Sequence, residues 1–420
     1  MTARGAAAWL QDNMRALVYD RRVVSGVSVA CGDAARAYTD RLGNAREVLL
    51  AGGAFMPAVQ PLVEDSIFDL ASVTKLFTAI SILQLRNAGA LRLDDPLTKF
   101  APRFLALPET SVGALLSFRA PIVTDGRVDA AADRAEAEAR LFSARPAPTQ
   151  PARYYTDMGA MALKYVIEAA AGQPYYAYLR ENVLLPLGMT ETYAHVPTEK
   201  LARTVCCNYE RRKVNGEYRV DTDCPAGVPH DPKARVLMRG TDDLTGHAGL
   251  FSTLGDMVRL AQGLLRGTVL PVDALREMGV NRTGYRLPDG GYTQYLGYLC
   301  YAKHPQQTYS EVPACFSDGT VALNGYTGNH FSVDPAQGRF MVILANRVHD
   351  RITVLTGRPD PNDPTVTARW NDGRVYPVSQ NYTYLKDAML KEPMAALLDE
   401  GGFGAAENGG KDGKDRPQPQ

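Results

Sequence analysis

Segments patterned as strands stand at both ends of this chain and helical patterns fill its middle, and that placement constrains the fold more than any single residue does. Near the start, Val23, Val24, Val27, Val29 and Cys31 read as a strand, and Gly32-Asp33 as a turn. Ala34–Thr39 and Glu47–Ala51 then complete an antiparallel meander. Strand patterning returns from Tyr292 to Asn346, above all over His330–Val333 and Phe340–Leu344. Between the two strand regions the periodicity predicts helices over Ser72–Asn87, Arg127–Arg140, Met158–Ala171, Tyr175–Val183 and Leu254–Arg266, with Gly89 and Gly172 as stops. Helices are also predicted over Ala6–Val18 and Tyr384–Leu398, a hairpin around Asn215-Gly216, and a loop over Pro359–Asp372. Strands that do not alternate with crossover helices give an α+β class: an antiparallel sheet built from both ends of the chain, flanked by helices, with a mainly helical lobe inserted. The expected division is one domain over 1–400, with a sheet lobe from about 1–65 and 285–400 and a helical lobe from about 66–284. The Gly-, Pro- and charge-rich tail 401–420 is expected to be disordered.

Composition removes several classes of function. The 46 basic and 46 acidic side chains cancel, which argues against a general electrostatic grip on nucleic acid or on an anionic membrane. No apolar run approaches the roughly 20 residues of a spanning helix. Met1–Asp20 lacks the basic-then-apolar layout of an export signal, so a cytoplasmic protein is expected. The six cysteines include no C-x-x-C pair, and no two histidines stand at metal-binding spacing. Neither a metal nor an organic cofactor is expected, and the oligomeric state is left open.

The sharpest chemical feature is Phe68-Asp69-Leu70-Ala71-Ser72-Val73-Thr74-Lys75. A serine and a lysine three apart at the start of a helix share a face, so Lys75 can reach the Ser72 hydroxyl. The helix start adds positive potential and free backbone N–H groups, which favour an oxyanion there. A lysine desolvated by Phe68 and Phe77 would have a lowered pKa and could act as a base. The plainer alternative for these residues is a capping serine followed by a solvated lysine.

The longer run Ser66–Ala79 resembles the nucleophile segment of the class C β-lactamase and penicillin-binding serine hydrolase family. Tyr154-Tyr155-Thr156-Asp157-Met158-Gly159 is similar to that family's Tyr-x-Asn or Tyr-x-Asp motif opening a helix. Gly227–Ala234, Gly246–Thr253 and Asn346-Arg347-Val348-His349 resemble a branch of esterase-like hydrolases and D-alanyl carboxypeptidases, and the matches run in the family's order. The resemblance implies a β-lactamase/transpeptidase-like fold and a small-molecule acyl substrate. It also implies Ser72 as nucleophile, Lys75 as proton acceptor or relay, Tyr155 sharing the proton traffic, and Asp157 orienting Lys75 and the substrate amide. His247 and the pair His230-Asp231 read as structural, loop-fixing residues.

Two segments depart from the family. Its third motif, a Lys-Thr-Gly or His-Thr-Gly on the strand bordering the site, falls on Leu323-Asn324-Gly325, followed by Tyr326. A second register places it on Tyr326-Thr327-Gly328, and in either the basic residue is missing. His330 stands nearby as a substitute if its strand geometry allows. The loop that shapes the family's site entrance appears as Leu115–Ala120. The expected function is therefore a serine acyl hydrolase with an acyl-enzyme on Ser72 and an oxyanion hole from Ser72 and the strand near Gly325 and Tyr326. The alternatives are an acyltransferase and a catalytically impaired acyl-ligand-binding homologue.

Overall fold

Along Arg339–Ala345 successive side chains enter different cores: Phe340, Val342 and Leu344 join one, Met341, Ile343 and Ala345 the other. That period of two marks a strand buried on both faces. In the computed structural model, which describes residues 1–148, 154–214, 217–353 and 366–404, this strand lies inside a six-stranded antiparallel sheet. The strands are β1 (Gly26–Asp33), β2 (Ala37–Ala51), β3 (Ala54–Pro61), β4 (Val321–Asn324), β5 (His330–Asp334) and β6 (Arg339–Ala345), ordered β4-β5-β6-β1-β2-β3. β1 is the seam between the two ends of the chain, pairing with β6 from Val27↔Ala345 to Asp33↔Arg339 and with β2 from Gly26↔Gly43 to Gly32↔Ala37.

The helices that frame the site are α1 (Ala3–Arg15), α2 (Thr74–Asn87), α3 (Met158–Ala171), α4 (Pro232–Leu237), α5 (Leu254–Leu265), α6 (Gln380–Lys386) and α7 (Glu392–Glu400). Ala6, Leu10 and Met14 of α1, spaced four apart, meet Met394, Leu397 and Leu398 of α7 on the sheet face carrying Val27, Val29 and Ile343. Met257, Leu260 and Leu264 of α5 join the opposite core with Phe340 and Val342. Each such buried side chain contributes about 1.5–3 kcal/mol, so each stripe is worth several kcal/mol. α2 is buried continuously from Thr74 to Leu83 and forms the centre of the helical region, with α3 packed against it.

The fold is the expected antiparallel sheet flanked by helices, with corrections in detail. The two short strands expected over Ala34–Thr39 and Glu47–Ala51 are one long β2, because the pairing with β1 carries the backbone through the polar residues Asp40 and Arg41. β3 carries no strand signal in the sequence. Its Pro57 and Pro61 are tolerated because it is an edge strand, where a missing N–H costs no ladder bond. The expected loop Pro359–Asp372 contains Thr367–Arg369, which pairs with Val375–Pro377, while residues up to 365 lie outside the described set. The helix expected over Tyr384–Leu398 is α6, a π-helical turn at Asp387–Lys391, and α7. The hairpin's tip at Asn215-Gly216 and residues 405–420 of the expected disordered tail lie outside the described residues. Among the described residues no helix is long and apolar enough to cross a membrane.

Candidate active site

The turn before α2 is built by Asp69. A two-residue ladder, Phe68↔Ser252 and Asp69↔Phe251, delivers the chain there, and Ala71 adopts φ 47°, a left-handed conformation that a non-glycine residue holds only under constraint. The buried Asp69 carboxylate accepts hydrogen bonds from Ala71 N at 2.8 Å and His230 N at 2.7 Å. Its carbonyl accepts from Thr327 Oγ1 and Asn329 Nδ2, both at 2.8 Å, so the turn between β4 and β5 is tied to the turn carrying Ser72. Ser72 sits in a 3-10 turn (Ala71–Val73) ahead of α2. Gly325, at the end of β4, permits the close approach: a Cβ there would lie 2.6 Å from the Leu70 carbonyl oxygen.

Lys75 is fully buried and reaches the serine. Its Nζ donates to Ser72 Oγ at 2.9 Å and to the His247 carbonyl at 3.1 Å, and pairs with Asp157 Oδ1 at 2.7 Å. It also hydrogen-bonds the Tyr155 side chain. Burial alone would lower the lysine's pKa, as the sequence suggested, but Asp157 and Tyr155 outweigh it and hold Lys75 above its ordinary range. The expectation of a neutralised lysine base is therefore corrected: this is an ammonium. Burial likewise pushes Asp157 up, yet Lys75, His247 and Lys233 pull it well below the usual carboxylate range. Its second oxygen pairs with Lys233 Nζ at 3.0 Å. Lys233 also meets Asp231 Oδ2 at 3.3 Å, and Asp231 Oδ1 lies 2.9 Å from His247 Nε2 while capping α4 through the Lys233 and Ala234 amides.

Tyr155 is stacked between Phe118 (ring centroids 5.2 Å apart) and Tyr301 (5.6 Å), with Lys75 Nζ 5.1 Å from its own ring centroid. A cavity of about 260 Å³ is lined by Ser72, Tyr155, Asn324, Gly325, Tyr326, Arg347 and Lys386, among others. Leu323 does not line it; its side chain is wholly buried in the apolar core. Leu323-Asn324 belongs to β4, whereas Tyr326-Thr327-Gly328 forms the turn to β5, closed by Gly328 N–H on the Gly325 carbonyl at 3.0 Å. His330 does not line the cavity either. It is fully buried, held between Asn324 Oδ1 (2.7 Å) and Ser332 Oγ (3.0 Å), and burial with the charges of Lys391 and Lys386 keeps it neutral. It braces Asn324, which also donates to Glu311.

Lys233 and Arg347 lie within the motifs Gly227–Ala234 and Asn346–His349, but the partners that place them in the site, Asp157 and Tyr326, are distant in sequence. Arg347 stands over the Tyr326 ring, its guanidinium carbon 4.5 Å from the centroid, and donates Nε–H to the Tyr326 carbonyl at 2.6 Å. It is 8% exposed, and its terminal nitrogens have no acceptor among the described residues. Phe118 lies in the entrance loop Leu115–Ala120 that the sequence singled out, whereas Tyr301 had no sequence signal beyond being aromatic. Two carboxylate–histidine groups, Asp157/Asp231/His247 and Glu210/Asp221/His230, bring ligand atoms within 4.8 Å of one another. Both fit a metal poorly, because lysines already neutralise the first and Arg212 and Arg235 the second.

An antiparallel sheet with helices on both faces and a serine–lysine pair at the helix start define a β-lactamase/transpeptidase-like fold. Solved structures share it. A simvastatin synthase variant from Aspergillus terreus aligns over 94% of this chain and 98% of its own at 18% identity, TM-score 0.63. EstCE1, a hydrolase with promiscuous acyltransferase activity, aligns over 94% and 99% at 17% identity, TM-score 0.63. A class C β-lactamase aligns over 81% and 91% at 16% identity, TM-score 0.58. The chain belongs to the Beta-lactamase family, whose model matches residues 10–356. A curated relative from Escherichia coli (strain K12), named "Putative D-alanyl-D-alanine carboxypeptidase", is 26% identical over 365 residues, covering 77% of this chain and 80% of the relative.

Proposed function

We propose that this protein is a serine acyl hydrolase that forms an acyl-enzyme on Ser72 and acts on a small ester or amide carrying a carboxylate. The observation that carries the reading is the buried contact of Lys75 Nζ with Ser72 Oγ at 2.9 Å, beside a cavity also lined by Tyr155 and Arg347. Because Lys75 is an ammonium, it does not take the serine proton; the proposed cycle starts from Tyr155 as phenolate, hydrogen-bonded to Lys75, which accepts that proton and becomes the phenol. Ser72 Oγ then bonds the substrate carbonyl carbon, the carbonyl electron pair moves to oxygen, and the Ser72 and Tyr326 amides receive the oxyanion. Collapse expels the alkoxide or amine, which takes the proton from Tyr155. In the second half Tyr155 takes a proton from water, the hydroxide attacks the acyl carbon, and the proton returns to Ser72 as the acid leaves. Lys75 steadies the Tyr155 oxygen whenever it is deprotonated, and Asp157 steadies Lys75.

Arg347 supplies the substrate class. A guanidinium with unused terminal N–H groups is a fork for a carboxylate, and relatives named as D-alanyl-D-alanine carboxypeptidases favour the same kind of substrate, an amide with a free terminal carboxylate. The lack of a basic residue in either register of the third motif favours slow turnover. The test is intact-protein mass after incubation with a penicillin and, separately, with a fluorophosphonate, using Ser72→Ala as control. An adduct that requires Ser72 is expected, and its lifetime measures turnover. No adduct with either reagent would overturn the reading in favour of a non-catalytic binder.

A further inference from the structure

Around Lys75 the charges close into a ring. Lys75 pairs with Asp157 (2.7 Å), Asp157 with Lys233 (3.0 Å), Lys233 with Asp231 (3.3 Å), and Asp231 with the His247 ring (2.9 Å). The His247 carbonyl returns to Lys75 at 3.1 Å. Four separate stretches of chain contribute: α2, the start of α3, the start of α4, and the Gly246–Gly249 loop. The proposed reaction uses Lys75 and Asp157 and leaves Lys233 without a task. Yet this second lysine is mostly buried and holds half of the one carboxylate on which Lys75 depends. An apolar or neutral side chain at 233 would leave the N-cap of α4 intact, since Asp231 accepts there from backbone amides. The lysine's charge therefore does something the helix does not need.

We infer that Lys233 is a positioning residue of the serine site: by sharing the Asp157 carboxylate with Lys75, it limits how tightly Lys75 is held and sets the pH range in which Ser72 is acylated. The inference rests on the reading of Ser72 as nucleophile. A positive charge one carboxylate away from Lys75 makes every proton nearby easier to lose. The titratable groups facing this pair are Ser72, Tyr155 and Asp157, His247 with Asp231, and Asp129, whose carboxyl is held down chiefly by Arg127 and also feels Lys233. The carboxylates of the ring stay ionised through neutral pH, so the charge at 233 reaches Lys75 through Asp157.

The experiment is the pH profile of Ser72 acylation by a fluorophosphonate, read by intact mass, in wild type, Lys233→Met, Lys233→Arg and Asp231→Asn. Removing the positive charge in Lys233→Met is expected to move the whole profile up by about one pH unit. Removing a negative charge in Asp231→Asn, where asparagine keeps the helix cap, is expected to move it down. Lys233→Arg, which keeps the charge, is expected to overlay the wild type. A merely structural role would lower the rates without opposite displacements. Superimposed profiles for Lys233→Met and wild type, with Ser72 still labelled, would overturn the inference and leave the proposed function standing. Absence of any Ser72-dependent label in wild type would overturn the proposed function and this inference with it.

Discussion

Arg347 and Lys75 are both cations beside Ser72, but their surroundings assign them different work. Lys75 has all its protons engaged within the protein, whereas the terminal nitrogens of Arg347 lack an acceptor among the described residues. A hydrogen bond to a charged group is worth about 1.5–3 kcal/mol. Arg347→Ala is therefore expected to raise KM for a carboxylate-bearing amide or ester roughly 10- to 100-fold, with a far smaller change for the matching neutral ester. Steady-state kinetics on the two substrates checks this. Asp157→Asn leaves a buried ammonium with its main partner gone, and breaking a buried pair in this way costs about 3–5 kcal/mol. Urea unfolding is expected to show that loss, together with loss of Ser72 labelling.

Between elements, the decisive contact is that of the β4 end with the turn before α2. Gly325→Ala would drive a methyl group to 2.6 Å from the Leu70 carbonyl, a backbone atom that cannot rotate aside. A loss of about 1–3 kcal/mol in thermal stability is expected, with acylation reduced because Tyr326 moves with the strand. Leu323→His, which the sequence alone suggests as a repair of the missing cation, places an imidazole in an apolar core and is expected to lower the melting temperature. These cases mark what the sequence could tell. Ser72 and Lys75 were legible as a pair three apart at a helix start, Tyr155 and Asp157 through the resemblance of their motif to the family's, and the structure brings Ser72, Tyr155 and Asp157 around Lys75. The β6 strand was legible from its continuous apolar run. The protonation of Lys75 was not, since it depends on Asp157, 82 residues later in the chain (157 − 75). Arg347 lay hidden for the same reason: its role comes from lying on Tyr326 across a turn, and β3 was masked by prolines that only an edge position excuses.

For the molecule as a whole, stability below neutral pH rests on carboxylates held in ion pairs. Burial would raise Glu210, but His230, Thr353 and Arg212 bring it to about 2. Burial would raise Glu311, but Lys386 and Lys391 bring it to about 2. A carboxyl lowered by folding stabilises above its unfolded pKa, about 4.3, and loses that contribution as pH falls through the folded value. Stability is thus expected to be constant in this respect above about pH 5 and to fall steeply between about 4 and 2, with Asp69 and Asp256, whose carboxyls burial raises, acting in the opposite sense. Denaturant melts across that window check it. The seam at β1 has a further consequence, for the order in which the protein comes into being. Val27 must wait for Ala345 to leave the ribosome before the central ladder can close. The helices around α2 are contiguous in sequence and can assemble earlier, but the β4 end that completes the serine's surroundings arrives only after residue 325. The nascent chain therefore carries its serine unarmed until the β4 to β6 strands emerge, and the hydrolytic chemistry proposed for it begins only then.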